Sequence, residues 1–149
     1  MPTTVSMSSL YNADLYPIDN CIDGNEEVSF CMTQREPSPW IALDYGTEVR
    51  VSSVVVIARN DPSFAYRTEN MNIRVSSTLP VSSSEMFTGG QLLGIFEERA
   101  TQKQRIEITG GTELTGRYVV VQMDHNPGEN HLNIMEVTAW GQGRSFISY

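Results

Sequence analysis

The stretch from Arg59 to Arg67, RNDPSFAYR, combines residue types suited to holding a small polar ligand. The two arginines present rigid forks of hydrogen-bond donors, and Asp61 supplies an acceptor. Phe64 and Tyr66 could lie against the apolar face of a pyranose, as aromatic side chains in ligand sites do. The stretch therefore predicts a sugar-binding loop. A solvated hairpin loop whose charges pair with each other is the alternative, because charged loops between strands are common.

The two histidines, His125 and His131, flank the sequence NPGEN near the end of the chain. With Asp124 and Glu129 they could form a transition-metal cluster, but their spacing matches no known ligand geometry. We expect a solvated turn instead. No serine, cysteine or carboxylate stands in a recognisable motif with either histidine, so the sequence does not predict an enzyme.

The segments that flank the candidate loop are typical of β-structure. A valine-rich run at residues 49–58 predicts a strand in the centre of a sheet, and residues 71–77 predict the next strand. A strand that begins at Trp40 is expected to end at Gly46. Residues 78–91 predict a long surface loop, and turns are expected at Gly110-Gly111, at Gly116 and at residues 126–128.

These short strands, without a convincing amphipathic helix, predict an all-β fold. A β-sandwich fits their number and spacing better than a barrel. The two tryptophans, Trp40 and Trp140, close strand-like segments and are expected in the core rather than in a ligand site.

Length and charge limit the classes of function. The 149 residues, 1–149, are most simply one domain. The net charge of −8, with Lys103 as the only lysine, argues against nucleic acid and against an electrostatic grip on anionic membranes. No run approaches the ~20 apolar residues of a membrane span, and the first residues lack the pattern of a secretion signal. Cys21 and Cys31 could form one bridge or remain buried thiols.

A succession of six segments resembles the discoidin-like (coagulation factor 5/8 type C) superfamily and, within it, the F-type or fucose-binding lectins. The segments are YPIDNCIDGN, PWIALDYG, VVVIARND, MNIRVSS, YVVVQM and IMEVTAWG, and the resemblance extends from about residue 5 to residue 141. The resemblance implies an eight-stranded jelly-roll β-sandwich of the galactose-binding-domain type and a carbohydrate site in loops at one end. It also implies glycans or glycoproteins as partners and an extracellular setting, and it is compatible with a homo-oligomer.

The resemblance further implies a structural Ca²⁺ near the loop NCIDGN. Calcium binds about six to eight oxygens from carboxylates, amides and carbonyls on a flexible turn. The expected ligands are the side chains of Glu136 and of Asn20, Asp23, Asn25 and Ser29, with the carbonyl of Met135. The alternative is an Asx turn, with Glu136 exposed on an edge strand.

The sugar site departs from the F-type pattern of a histidine, an Arg-x-Asp and a later Arg or Lys. Arg59 and Asp61 match the Arg-x-Asp, but Arg67 follows after five intervening residues instead of four. The segment FCMTQRE lacks the expected histidine, and Thr33 or Gln34 could supply only one hydrogen bond in its place.

Two cysteine features of many F-type lectins are also absent. Pro62-Ser63 replaces the adjacent cysteine pair, and Met135 stands where the partner of Cys31 is expected. Phe64 or Tyr66 could supply the apolar contact of the cysteine pair. The resulting hypothesis is a non-enzymatic, calcium-stabilised lectin with an altered site. A discoidin-like interaction or structural module that has lost sugar binding is the alternative, and lipid-headgroup binding is disfavoured by the net charge.

Overall fold

The computed structural model describes residues 2–141, which form antiparallel strands joined by loops. The strands are β1 (Thr4–Met7), β2 (Cys31–Met32), β3 (Trp40–Ala58), β4 (Glu69–Ser76), β5 (Gln91–Arg99), β6 (Arg105–Met123) and β7 (Asn133–Trp140). Two short 3-10 helices span Ile18–Ile22 and Ala65–Arg67. The outermost residues of the predicted domain 1–149, namely 1 and 142–149, lie outside the described part.

Two long strands, β3 and β6, build both layers of the fold. Residues 40–44 of β3 pair with residues 118–122 of β6, and residues 53–57 pair with residues 105–109. The first of these pairings lies in a layer with β1, β4 and β5, and the second lies in a layer with β2 and β7. The predicted β-sandwich is confirmed, with seven strands in the described residues where eight were expected.

Strand β3 does not end at Gly46, and β6 does not turn at Gly110-Gly111 or Gly116. Gly46 lies inside β3 with φ +73°, and the register shifts between Asp44 and Val49. A Cβ on Gly116 would lie 2.8 Å from the carbonyl oxygen of Ser76, so β4 approaches too closely for a side chain. These glycines therefore bend or crowd continuous strands, because bulges absorb the change of direction.

The core lies between the layers and consists of alternate side chains of β3, β4, β6 and β7. Its fully buried members include Ile41, Leu43, Val54, Val56, Ile73, Val121 and Ile134. Trp40 is buried in a separate small cluster with Ala42 and Val120. Trp140 is only partly buried, beside Val55 and Met135, so neither lies in the main core between the layers. Within residues 2–141, no helix has the length and apolar character needed to cross a bilayer.

A disulfide joins Cys21, in the first 3-10 helix, to Cys31 at the start of β2. The sequence left this bridge and buried thiols as alternatives, and the structure has the bridge. Both half-cystines are fully buried. The bond therefore closes the loop of residues 22–30 at its base.

Replacing Cys21 and Cys31 together by serine is expected to lower the free energy of unfolding by about 2–3 kcal/mol, because an unfolded chain with an open loop has more conformations. Urea denaturation followed by tryptophan fluorescence measures the change. A reducing agent should destabilise the native protein by a similar amount and leave the double variant unaffected. An unchanged midpoint in the double variant would contradict the assigned role of the bridge.

Candidate functional site

Arg59 lies directly after the end of β3, at the rim of the sandwich. Its backbone carbonyl accepts a hydrogen bond from the amide of Lys103 at 3.1 Å. Its guanidinium Nη1 donates to Asn133 Oδ1 at 2.8 Å, and the fully buried Asn133 donates through Nδ2 to the carbonyl of Cys31 at 3.0 Å. Arg59 is thus held by a buried amide that is itself fixed to β2.

Two phenylalanine rings enclose the guanidinium of Arg59. Its Cζ lies 4.3 Å from the ring centre of Phe30 and 4.7 Å from that of Phe64. Tyr16 stacks on Phe30 with ring centres 4.5 Å apart. Burial among these rings lowers the pKa of Arg59, and the nearby charge of Arg67 lowers it further.

Arg67 reaches the same ring from the second 3-10 helix. Its Cζ lies 4.4 Å from the centre of Phe64 and 5.9 Å from that of Tyr66. Nη1 donates to the sulfur of Met32 at 3.4 Å, whereas Nε is buried without a hydrogen-bond partner in the described residues. The structure therefore brings together the two arginines that the sequence singled out, on either side of one turn.

Asp61 and Tyr66 have different positions in this cluster. Asp61 Oδ1 accepts from the amide of Ser63 at 2.9 Å, and its carbonyl accepts from the amide of Phe64 at 3.1 Å. Its charge also favours the charged form of Arg59. Tyr66 is 36% exposed and is the outermost ring of the cluster. Asp61 shapes the turn, and Tyr66 offers an accessible aromatic face.

Thr33 and Gln34 do not replace the missing histidine in the way the sequence suggested. Thr33 is fully buried, and its hydroxyl donates to the carbonyl of Gln34 and accepts from the amide of Leu132. The side chain of Gln34 is exposed, and its Nε2 donates to the carbonyl of Leu10 at 2.8 Å. Thr33 is therefore corrected to a structural residue, since its hydroxyl is enclosed and satisfied within the fold.

A histidine nevertheless lies beside the arginines, and it is His131. Its Nδ1 lies 2.8 Å from the carbonyl oxygen of Thr33, and its ring meets Tyr11 edge to face at 5.5 Å. Burial lowers its pKa, as do the charges of Arg67 and Arg35, against the opposing hydrogen bond to Thr33. The ring of His131 is half-buried, although the turn before it is exposed as expected. The pairing of β2 with β7 places it here, and nothing local to NPGEN indicates that pairing.

The other histidine, His125, belongs to a separate polar network. Its Nδ1 lies 3.1 Å from Oε1 of the buried Glu69, which also accepts from Asn130 Nδ2 at 3.2 Å. Arg99 Nε donates to the second oxygen of Glu69 at 2.9 Å. His125, at the start of the turn, is therefore tied to β4 and β5, while residues 126–129 form the exposed turn that was expected.

The loop proposed for calcium meets β7 as expected. The amide of Gly24 donates to Oε2 of Glu136 at 3.0 Å. Glu136 is only 7% exposed, which excludes the alternative of an exposed glutamate on an edge strand. Burial raises its pKa to about 8, and the neighbouring carboxyl groups of Asp23 and Glu26 act in the same direction. Acidic side chains are thus crowded around a buried carboxylate.

The other residues proposed as calcium ligands differ in whether their oxygen atoms already accept hydrogen bonds. Asn20 donates through Nδ2 to the carbonyl of Phe30, while Asn25 Oδ1 already accepts from the amides of Glu27 and Val28. Met135 lies at a register shift of β7 against β3, and Ser29 is half-buried. In residues 2–141 no group of three or more histidine, cysteine or acidic side chains could hold a metal. A cation here would need amide and carbonyl oxygens as well as Asp23 and Glu136.

The structure is thus a β-sandwich with a cluster of polar and aromatic side chains at one rim. A family model described as the NedA-like, galactose-binding domain of the F5/F8 type C group matches residues 20–121. The chain belongs to this family. No curated protein matches the chain at a significant level.

Several solved structures share the fold at low sequence identity. A fucolectin from the serum of striped bass, Morone saxatilis, has 21% identity and a TM-score of 0.75 over 91% of this chain, which spans only 45% of that protein. A histidine mutant of the lectin-binding domain of lectinolysin, complexed with Lewis b, has 20% identity and a TM-score of 0.74 over 94% of this chain and 92% of its own. The family 32 carbohydrate-binding module of Clostridium perfringens NanJ, with galactose, has 15% identity and a TM-score of 0.65, and the match covers 91% of each chain.

Proposed function

We propose that this chain is a non-catalytic carbohydrate-binding module, a lectin for a fucose-type or related glycan. The observation that carries the proposal is the convergence of Arg59 and Arg67 on the ring of Phe64, at 4.7 and 4.4 Å. Guanidinium groups donate in-plane hydrogen bonds to sugar hydroxyls, while an aromatic ring contacts the apolar face of a pyranose. The glycans named for the lectinolysin and NanJ structures, Lewis b and galactose, support this class of ligand.

The proposed roles follow from how firmly each side chain is held. Arg59, fixed by Asn133, donates to the sugar, and Arg67 donates from the opposite side of the turn. Asp61 keeps the turn in shape, and the exposed ring of Tyr66 covers an apolar edge of the ligand. His131 takes the part for which the sequence offered Thr33 or Gln34. Burial lowers its pKa, so the neutral ring is favoured; its Nδ1–H donates to the carbonyl of Thr33, and Nε2 is left as an acceptor for a sugar hydroxyl.

We further propose that a structural Ca²⁺ is held between the loop of residues 23–29 and β7. The fit rests on Glu136, whose buried carboxylate faces the acidic Asp23 and receives one backbone N–H. A buried carboxylate among like charges either keeps its proton or is compensated by a cation, and Ca²⁺ would supply that cation. The oxygens of Asp23, Glu136, Asn20 and Ser29 and the carbonyl of Met135 would hold the ion, and Asn25 would shape the turn through its present hydrogen bonds.

The proposed calcium loop and the proposed sugar site are adjacent. Phe30, which stacks on Arg59, follows the loop directly, and its carbonyl accepts from Asn20. Asn60, beside Arg59, donates through Nδ2 to the carbonyl of Glu27 at 3.2 Å. An ion that orders the loop would therefore also hold Phe30 and Arg59 in place.

A glycan array tests the proposal. Single shallow sugar sites bind weakly, so the domain should be presented as a streptavidin tetramer through a terminal biotin, which raises the avidity. We expect binding to a defined set of glycans in calcium, with less binding in a chelator. If a correctly folded tetramer binds no glycan, the lectin proposal fails, and the alternative of a protein-interaction or structural module is then favoured.

A further inference from the structure

The candidate site contains more positive than negative charge, although the chain as a whole carries −8. Arg59 and Arg67 lie against one ring, and Arg35 is close enough for its charge to act on His131. The acidic group that acts on Arg59 is Asp61. A local excess of guanidinium groups on an acidic domain needs an explanation.

These guanidinium groups lack carboxylate partners. The ion pairs of residues 2–141 involve Arg50, Arg99, Lys103, Arg117 and His125, and none includes the three arginines of the site. Arg59 donates to an amide oxygen, Arg67 to a thioether sulfur, and Arg35 to the backbone carbonyl of Glu129 at 3.2 Å. All three acceptors are neutral.

The electrostatic consequence is visible on Arg59 itself. Burial lowers the pKa of Arg59, and the charge of Arg67 lowers it more than the charge of Asp61 raises it. Two like charges close together repel each other, and a bound anion that contacts both offsets this repulsion. Guanidinium groups also bind carboxylate and sulfate oxygens more strongly than neutral hydroxyls.

We infer that the site is selective for an anionic sugar, one whose ring carries a carboxylate or a sulfate. This inference rests on the proposed function, since it names the class of glycan that the same site binds. The charged group accepts hydrogen bonds from the guanidinium edges of Arg59 and Arg67, and the sugar ring contacts the exposed ring of Tyr66. A carboxylate and a sulfate present the same oxygen chemistry to two guanidinium groups, so both are tested.

The test compares sugars of one stereochemistry that differ at a single carbon. Isothermal titration calorimetry, supported by amide NMR shifts, measures binding of methyl galactoside, methyl galacturonide and galactose 6-sulfate, with methyl fucoside as a second neutral sugar. We expect at least one charged sugar to bind about tenfold more tightly than either neutral sugar at 50 mM salt, because charge-assisted hydrogen bonds are the stronger. The advantage should shrink towards about 500 mM salt as the charges are screened.

A variant separates charge from the rest of the site. Arg67→Gln keeps a donor but removes the charge, and it is expected to abolish most of the preference for the charged sugars. The control is Arg50→Gln, since Arg50 is an exposed residue of β3 far from the site, and it should retain the preference.

The outcomes are distinguishable. If neutral and charged sugars bind equally, or if Arg67→Gln retains the preference, the inference is wrong while the lectin proposal stands. If, in addition, the folded tetramer binds no glycan on the array, both the lectin proposal and the inferred preference for an anionic sugar are wrong. A carboxylate preference without a sulfate preference, or the reverse, supports the inference and identifies the group.

Discussion

Replacing Arg59 by alanine is expected to weaken glycan binding by about 10- to 100-fold, because a charge-assisted hydrogen bond contributes about 1.5–3 kcal/mol and each 1.4 kcal/mol is a factor of ten. Two contacts of Arg59 in the structure lead us to expect this large loss of affinity. Its guanidinium is fixed to the buried Asn133 at 2.8 Å, and it is stacked on Phe30 at 4.3 Å. A donor held in this way loses little entropy when the ligand binds.

A second variant separates charge from shape. Arg59→Lys keeps the charge but loses the planar fork that both rings and Asn133 contact, so we expect it to recover only a part of the lost affinity. Calorimetry with the tightest ligand from the glycan array measures each change. Far-ultraviolet circular dichroism and a melting curve establish that each variant is folded, since alanine leaves Asn133 Oδ1 without its donor.

Arg50→Ala is the matched control for this experiment. Arg50 lies in the same strand as the residues leading to Arg59, but its side chain is exposed and 3.9 Å from Glu113 in a surface ion pair. Its loss should leave glycan affinity unchanged. If folded Arg59→Ala binds as tightly as the native domain, the ligand contacts other residues and the assigned site is wrong.

The part of the site that could be predicted from the sequence is the part that is local in the chain. Arg59, Phe64 and Arg67 belong to one short stretch between two strands, so their types and spacing already indicated a common loop. The extra residue before Arg67 was absorbed in a short 3-10 helix of residues 65–67, and the arginine still reaches the ring.

The part that could not be predicted depends on contacts between distant segments. Asn133 reaches Arg59 because β7 pairs with β3, and His131 reaches the carbonyl of Thr33 because β7 also pairs with β2. Strand pairing and register are set by the whole fold, and no pattern near NPGEN specifies them. Phe30 was likewise overlooked, because its place beneath Arg59 depends on the disulfide-closed loop that precedes it.

For the fold, too, local features could be predicted from the sequence and contacts between distant segments could not. The apolar runs and their order predicted the sandwich, since alternating and buried strands are visible in sequence. The breaks at Gly46 and Gly116 were wrong because a glycine permits a turn, a bulge or a close approach equally well. Only the neighbouring strand decides among these, as Ser76 does for Gly116.

Removing calcium is expected to lower the melting temperature, and the loss should be larger at pH 8 than at pH 5. In the calcium-free protein the pKa of Glu136 is about 8, above its ordinary value of 4.5 in an unfolded chain. The folded state therefore holds an extra proton between these values, and unfolding releases it. The stability of the calcium-free protein should fall as the pH rises through this window, by ~1.4 kcal/mol per pKa unit of difference at most.

Bound calcium reverses this dependence. The ion requires the ionised carboxylate, so its affinity rises as Glu136 loses its proton, and the folded state gains the binding free energy. Differential scanning calorimetry with 1 mM calcium or with a chelator, at pH 5 and pH 8, measures both effects. We expect the difference between the two melting temperatures to be small at pH 5 and to reach several degrees at pH 8.

Glu136→Gln tests whether this carboxylate is the group responsible. Glutamine is nearly the same shape and can still accept from the amide of Gly24, but it has no charge to bury. The variant should lose the calcium effect and, in chelator, should no longer lose stability between pH 5 and pH 8. Glu107→Gln, at an exposed position of β6, is the control and should behave like the native protein. A melting temperature that calcium leaves unchanged at both pH values would show that the crowded carboxylates are stabilised by protonation alone. A full calcium effect in Glu136→Gln would show that the ion binds elsewhere.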